Sequence, residues 1–247
     1  APVAAFIESF NVIGTPVTAA ETRAHMGLTK VEEIRALFNI DRVRNEFQEK
    51  YGRPYAEEDI LARYADFQRV LFASLEDYTT PIPGVVETIS GLRAQGIKIG
   101  STTGYTSQMM KQVLPKARGL GYEADCVVTP DVTGASRPTP FMLYECMRRL
   151  NVYPPSAVVK VGDTVVDIQE GKNAGAWSIG ILTGSNLLGL TQAEYEAMAP
   201  DELEQRKQAA AERYLEAGAD LVIDSIRELP DAVAEINRRM AEQEAAC

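Results

Sequence analysis

Basic residues are the first thing this sequence is short of: 25 Lys and Arg stand against 35 Asp and Glu, a net charge of −10 over 247 residues. That deficit argues against polyanion binding, so nucleic acid is not an expected partner. A small phosphorylated ligand stays compatible, because local groups decide its binding. Cysteine is sparse as well. Cys126, Cys146 and Cys247 are odd in number and widely spaced, which suits a reducing cytosol better than a disulfide framework. Long apolar runs are missing: none approaches membrane-spanning length, and the first residues lack a signal peptide's basic start and apolar core. Repeats and low-complexity segments are also absent. The expectation is a soluble, cytoplasmic protein that meets no membrane. What is present is ordinary globular composition, 45% hydrophobic, 24% charged and 7% aromatic. The length gives one large domain or two modest ones ample core.

Two textures divide the chain. From residue 1 to 78 apolar residues recur at three and four, as in "KVEEIRALFNI" and "AEEDILARYADFQRVLFASLEDY", and strand-like runs are missing. Thr18 and Glu21 have the spacing of a capping box. After "TTPIPG", from 79 to 247, helical segments alternate with the strand-like runs "IKIGSTT", "CVVTP", "AVVKVGD", "WSIGIL" and "ADLVIDS". Such alternation predicts right-handed crossovers and a parallel sheet covered on both faces. The expected class is α/β: a helical cap domain over 1–78 and a doubly wound, Rossmann-like parallel-sheet core over 79–247.

Ligands of such sheets bind at the carboxyl ends of the strands, and three of those ends carry chemistry. Ser101, Thr102 and Thr103 precede Gly104 and a helix start, which reads as an N-cap or as an anion cradle. Arg137 precedes two prolines that fix the local backbone; it reads as a surface residue at a turn or as a guanidinium held toward an anion. Asp163 and Asp167 are four apart (167 − 163 = 4), so a helix beginning between them lets both face one pocket. Hard oxygen donors at a strand end suit Mg²⁺, which keeps several waters and borrows substrate phosphate oxygens. An N-cap aspartate beside a solvated one would explain Asp163 alone. Three successive crossover ends bearing hydroxyls, a cation and a carboxylate pair together point to a phosphoryl-handling site.

The order of a hydroxyl-rich strand end, Arg before Pro, and Gly-Asp-Thr-x-x-Asp resembles the later motifs of the haloacid dehalogenase superfamily. The interval from Arg137 to Asp163 (163 − 137 = 26) fits as well. More narrowly, "HMGLTK", "GIKIGSTTGYT", "SRPTP", "VKVGDTVVDIQEGKNAGAW" and "LGLTQAEYEAM" are similar to the phosphonatase family, whose members hydrolyse phosphonoacetaldehyde. That likeness covers essentially the whole chain. It implies that Asp163 is a Mg²⁺ ligand backed by Thr164 and Asp167, and that Thr103, Gly104, Tyr105 and Arg137 hold the phosphoryl group. It also implies that Lys30, beside Met26 and Gly27, forms a Schiff base with the substrate aldehyde. A homodimer through the cap is implied in the same way. Read by itself, Lys30 is a solvated helix residue, and His25, the only histidine, has no assigned role.

A lysine in the cap suits the chemistry. Attack at phosphorus would otherwise expel a carbanion; with the neighbouring aldehyde condensed to an imine, the carbon leaves as a neutral enamine. The expected reaction yields acetaldehyde and phosphate through the imine and an aspartyl-phosphate. One departure stands out. The family's first motif, a strand ending in Asp-x-Ala-Gly-Thr whose first Asp is the nucleophile, does not occur here. "APVAAFIESF" resembles the segment that follows it, so the natural protein is expected to carry that Asp shortly before Ala1, on the central strand of the sheet. Loss of such a strand opens two unpaired edges. The alternatives are a capped phosphatase or phosphomutase of the same superfamily, or a non-catalytic binder of a phospho-ligand if the Asp is absent.

Overall fold

The computed structural model describes residues 2–75 and 79–245, so Cys247 and the end of the long helix expected up to Tyr78 lie outside the described residues. Packing separates the chain into two compact units, Ala1–Thr80 with Gly104–Leu120, and Pro81–Thr103 with Gly121–Cys247.

The first unit is helical: α1 (Pro2–Asn11), α2 (Ala19–Ala24), α3 (Lys30–Asn39), α4 (Asp41–Tyr51) and α5 (Glu57–Ser74). Their apolar residues fall on one face each, and burying those faces supplies the stability that short isolated helices lack. Phe6 and Phe10 of α1, Ile34, Leu37 and Phe38 of α3, Phe47 of α4, and Phe67 and Leu71 of α5 form one buried cluster. Phe6 stacks on Phe67 with ring centroids 4.3 Å apart. Thr18 and Glu21 make the capping box their spacing suggested, and Thr29 and Glu32 make a second one that starts α3 at Lys30. Helix α7 (Ser107–Gly119), expected within the α/β part, belongs to this unit, where Met109 is fully buried in the same cluster.

The second unit carries the parallel strands. β1 (Gly100–Thr102) pairs with β2 (Cys126–Val128), and β3 (Val159–Gly162), β4 (Trp177–Ile181) and β5 (Leu221–Ile223) form a second sheet in that order. Among the described residues β1 and β3 share no ladder, and side chains link them instead. Along β4 the alternation of strand side chains sorts two faces. Trp177, Ile179 and Ile181 meet α6 (Val85–Ala94) and α13 (Leu229–Ala245) through Leu92, Ala232 and Ile236. Ser178 and Gly180 turn to the opposite face, where α10 (Val165–Ala174) and α12 (Pro200–Glu216) supply Ile168 and Tyr214. Gly180 is required there, since a Cβ would lie 2.5 Å from the Tyr214 ring. The Tyr214 hydroxyl donates to the Ile181 carbonyl at 3.0 Å, which satisfies the one polar atom of a buried ring. A parallel sheet with helices on both faces is the doubly wound arrangement. α8 (Pro130–Thr133), α9 (Phe141–Leu150) and α11 (Gln192–Ala197) complete the helices. Cys126 and Cys146 are free thiols buried between β2 and α9.

Candidate functional site

In the helical unit, the turn after α2 sets the stage for Lys30. His25 closes α2, Gly27 takes a left-handed φ of 106°, and Thr29 caps α3. Lys30 is therefore the first residue of its helix. It is 6% exposed, not the solvated residue that composition suggested, because its stem lies in the apolar cluster and its charge is paired there. Nζ donates to both carboxylate oxygens of Glu33 at 2.8 Å, lies 4.0 Å from Met26 Sδ, and sits 5.6 Å from the centroid of the Phe6 ring. Glu33 is 1% exposed and also accepts from the Gly27 N–H at 2.9 Å. Burial, followed by the charge of Glu33, pushes the Tyr105 phenol up to about 12, so Tyr105 is a neutral hydroxyl.

In the α/β unit the carboxylate pair stands where β3 gives way to α10. Thr164 is the N-cap and Asp167 the third helical residue, and together they close a capping box: the Thr164 hydroxyl donates to Asp167 Oδ2 at 2.5 Å and the Thr164 N–H at 3.2 Å. Asp167 is held so close to β3 that a Cβ on Gly162 would fall 2.1 Å from the Asp167 Cβ. That geometry leaves Oδ1 for cations. Arg137 Nη1 donates to it, and Lys160 Nζ lies 3.0 Å away. Lys160 also bonds Glu170 Oε2 at 2.8 Å and Thr102 Oγ1 at 2.8 Å, and Thr102 donates to Glu170 at 2.9 Å. This polar cluster is what joins β1 to β3. Burial alone would raise the Asp167 carboxyl; Lys160, Arg137 and Thr164 outweigh it and hold Asp167 far below the usual carboxylate range. Asp163, with Oδ2 accepting from the Asn186 N–H at 3.1 Å, is pushed up by burial and then by the charge of Asp167.

Among the described residues, three buried polar atoms here have no hydrogen-bond partner: Ser136 Oγ, Arg137 Nε and Glu170 Oε1. Leaving such atoms unpaired costs about 1–3 kcal/mol each, so the cluster is poised for a polar ligand. Among the described residues no three His, Cys, Asp or Glu side chains converge as a metal cage.

The sequence candidates accordingly fall into two groups. Lys30, Met26, Gly27, Gly104 and Tyr105 lie in the helical unit; Thr103, Arg137, Asp163, Thr164 and Asp167 lie in the α/β unit. α7 begins at Ser107, capped by Thr106, so the helix after β1 starts four residues beyond Thr103 (107 − 103 = 4). Of the β1 hydroxyls it is Thr102 that enters the cluster around Lys160. Glu33, Lys160 and Glu170 were not anticipated. Each left a signal: Lys30 and Glu33 are three apart at a helix start, Lys160 interrupts an apolar strand, and Glu170 shares a helix face with Asp167.

The profile of the haloacid dehalogenase-like hydrolases matches residues 2–175, and that of a related hydrolase family matches 134–229. The chain belongs to the haloacid dehalogenase-like hydrolases. A phosphonoacetaldehyde hydrolase of Bacteroides fragilis is 47% identical over 97% of this chain and 91% of its own length. One of Bacillus cytotoxicus is 45% identical over 97% and 90%. A crystal structure of a phosphonoacetaldehyde hydrolase like protein from Oleispira antarctica superposes with a TM-score of 0.95 at 36% identity, covering 98% of this chain and 87% of that one. Within the larger class, the chain belongs to the phosphonoacetaldehyde hydrolase family. No helix among the described residues is long and apolar enough to cross a membrane.

Proposed function

We infer that this protein is a hydrolase that cleaves the carbon–phosphorus bond of phosphonoacetaldehyde, giving acetaldehyde and phosphate. Nearly full-length relatives of that activity support the reading, and the observation that carries it is Lys30. A buried amine held against Phe6 and Met26 has a use in condensing with an aldehyde and none in cleaving a phosphate ester. The imine draws electrons from the adjacent carbon, so phosphorus is attacked while the carbon departs as an enamine. The phosphoryl acceptor in this reading is the aspartate of the family's first motif, and water then hydrolyses the aspartyl-phosphate. Arg137 and Thr103 hold the phosphoryl group in this reading, with Gly104 and Tyr105 following Thr103 in sequence. Arg137 is aimed by Asp167, whose second cation, Lys160, keeps the carboxylate ionised.

A divalent cation, Mg²⁺ in this reading, fits Asp163. The donor is a hard oxygen, and a cation offsets the burial and then the charge of Asp167 that push Asp163 up. When bound it supplies charge neutralisation at the phosphoryl oxygens. The reading extends to a homodimer in the cytoplasm, for which the family resemblance is the support.

The test is the product pair. Incubation with phosphonoacetaldehyde and Mg²⁺, using a form that carries the first-motif aspartate, is expected to release acetaldehyde and phosphate in equal amounts. Phosphate release from phosphate esters with none from phosphonoacetaldehyde would replace this reading by a capped phosphatase. Arg137→Lys is expected to lower kcat/KM by about 10²-fold, because a point charge does not reproduce a planar fork that serves Asp167 and the phosphoryl group together. Unchanged kinetics in that variant would confine Arg137 to its pair with Asp167.

A further inference from the structure

An ionised carboxylate has about four acceptor sites, and on Asp167 each is taken. Oδ2 accepts from the Thr164 hydroxyl at 2.5 Å and from the Thr164 N–H at 3.2 Å. Oδ1 accepts from Arg137 Nη1 and lies 3.0 Å from Lys160 Nζ. Arg137 is therefore held by a single bond to a partner that could otherwise take it by two. The guanidinium shows the consequence. Its Nε is buried with no partner, and among the described residues Nη1 is the one nitrogen of Arg137 that makes a hydrogen bond. Nε–H and an Nη2–H point the same way from a guanidinium, the fork that matches two oxygens of a phosphoryl group.

On the reading of Arg137 as a phosphoryl-binding residue, we propose that Lys160 is a positioning residue for phosphoryl recognition. It fills the remaining site on Asp167 Oδ1, so that Asp167 keeps Arg137 by one bond and leaves the Nε–Nη2 fork for the ligand. Without Lys160 the vacated oxygen would draw a second guanidinium N–H, and the fork would close on Asp167. An arginine closed on its own counter-ion meets phosphate only as a charge, without the paired donors that give Arg its advantage over Lys. Lys160 is itself fixed in this task. The three N–H groups of its ammonium face three acceptors: Asp167 Oδ1 at 3.0 Å, Glu170 Oε2 at 2.8 Å and Thr102 Oγ1 at 2.8 Å. The Thr102 hydroxyl donates on to Glu170 at 2.9 Å, and Glu170 is 0% exposed. With each N–H engaged, Lys160 has none to give a ligand and acts through Asp167.

The experiment measures the dissociation constant of inorganic phosphate by calorimetry, with Mg²⁺ present, in a form that carries the first-motif aspartate. Lys160→Met by itself strands the buried charge of Glu170. It is therefore combined with Glu170→Gln, which leaves the net charge unchanged and keeps an acceptor for the Thr102 hydroxyl. In this pair the constant is expected to rise about 10–100-fold, the range for one hydrogen bond to a charged group. In an Arg137→Lys background there is no fork to protect, and the same pair is expected to change the constant by no more than about 2-fold. Equal losses in both backgrounds would mean that Lys160 only supports the shape of the site, and they overturn the proposal. So does an unchanged constant in the folded pair with Arg137 in place. Should the pair fail to fold, Lys160→Gln with Glu170→Gln, polar at both positions, is read in the same way. Arg137→Lys by itself tests the reading underneath: if phosphate binds that variant as tightly as the unsubstituted protein, Arg137 holds no phosphoryl group and the proposal falls with that reading.

Discussion

Borohydride added with phosphonoacetaldehyde is expected to inactivate the enzyme and leave the added mass on the peptide containing Lys30. The imine is the one intermediate of the proposed course that hydride reduces to a stable secondary amine. Lys30 is 6% exposed, whereas surface lysines meet the aldehyde only transiently in water, so labelling should concentrate at a single peptide. Lys30→Arg is the matching substitution. Arginine keeps the charge and can still pair with the buried Glu33, so the helical unit should fold, but its guanidinium forms no imine under these conditions. Carbon–phosphorus cleavage is expected to fall on the order of 10⁴-fold or more, the scale on which loss of a covalent catalytic group is felt. Mass spread over many lysines, or full activity in Lys30→Arg, would sink the phosphonatase reading and bring the phosphate-ester hydrolase forward.

Asp163→Ala is expected to abolish metal-dependent turnover, a loss of at least about 10³-fold, since several kcal/mol of charge stabilisation leave with the cation. The α/β unit should survive. The substitution removes the acceptor of the Asn186 N–H, a cost of about 1–3 kcal/mol, and it also removes the repulsion that Asp163 suffers from Asp167. Chelation followed by added Mg²⁺ separates the two effects. The unsubstituted enzyme should lose and regain activity through that cycle, while Asp163→Ala should stay inactive throughout with a melting transition only slightly lowered. Asp163→Asn is the softer test, because a neutral oxygen still coordinates weakly. Near-normal turnover of Asp163→Ala at saturating substrate would remove Asp163 from the metal site.

Much of the architecture was legible because it follows from short-range rules. The change from helical spacing to strand–helix alternation near residue 80 marks where the helices end and the parallel strands begin. Capping chemistry is equally local: Thr18 with Glu21, Thr29 with Glu32, and Thr164 with Asp167 each occupy the ends of a four-residue window. The last of these also explains why Asp167 stays beside β3. Motif residues such as Lys30, Arg137 and Asp163 were found because neighbouring residues identify them.

Tertiary structure alone decided how charges are paired and buried. Nothing within a few residues of Lys160 says that it will meet Thr102, 58 positions away, together with Glu170. Nor does anything near Arg137 name Asp167, 30 positions on, as its partner. Neighbouring residues could therefore mark Lys30 as a motif residue but not show that it is buried, nor place α7 with the helical unit. Composition, periodicity and caps depend on residues a turn or two apart, and the sequence by itself determines them. Burial and ion pairing depend on which distant segments pack together, and only the folded chain brings those side chains within a few ångströms.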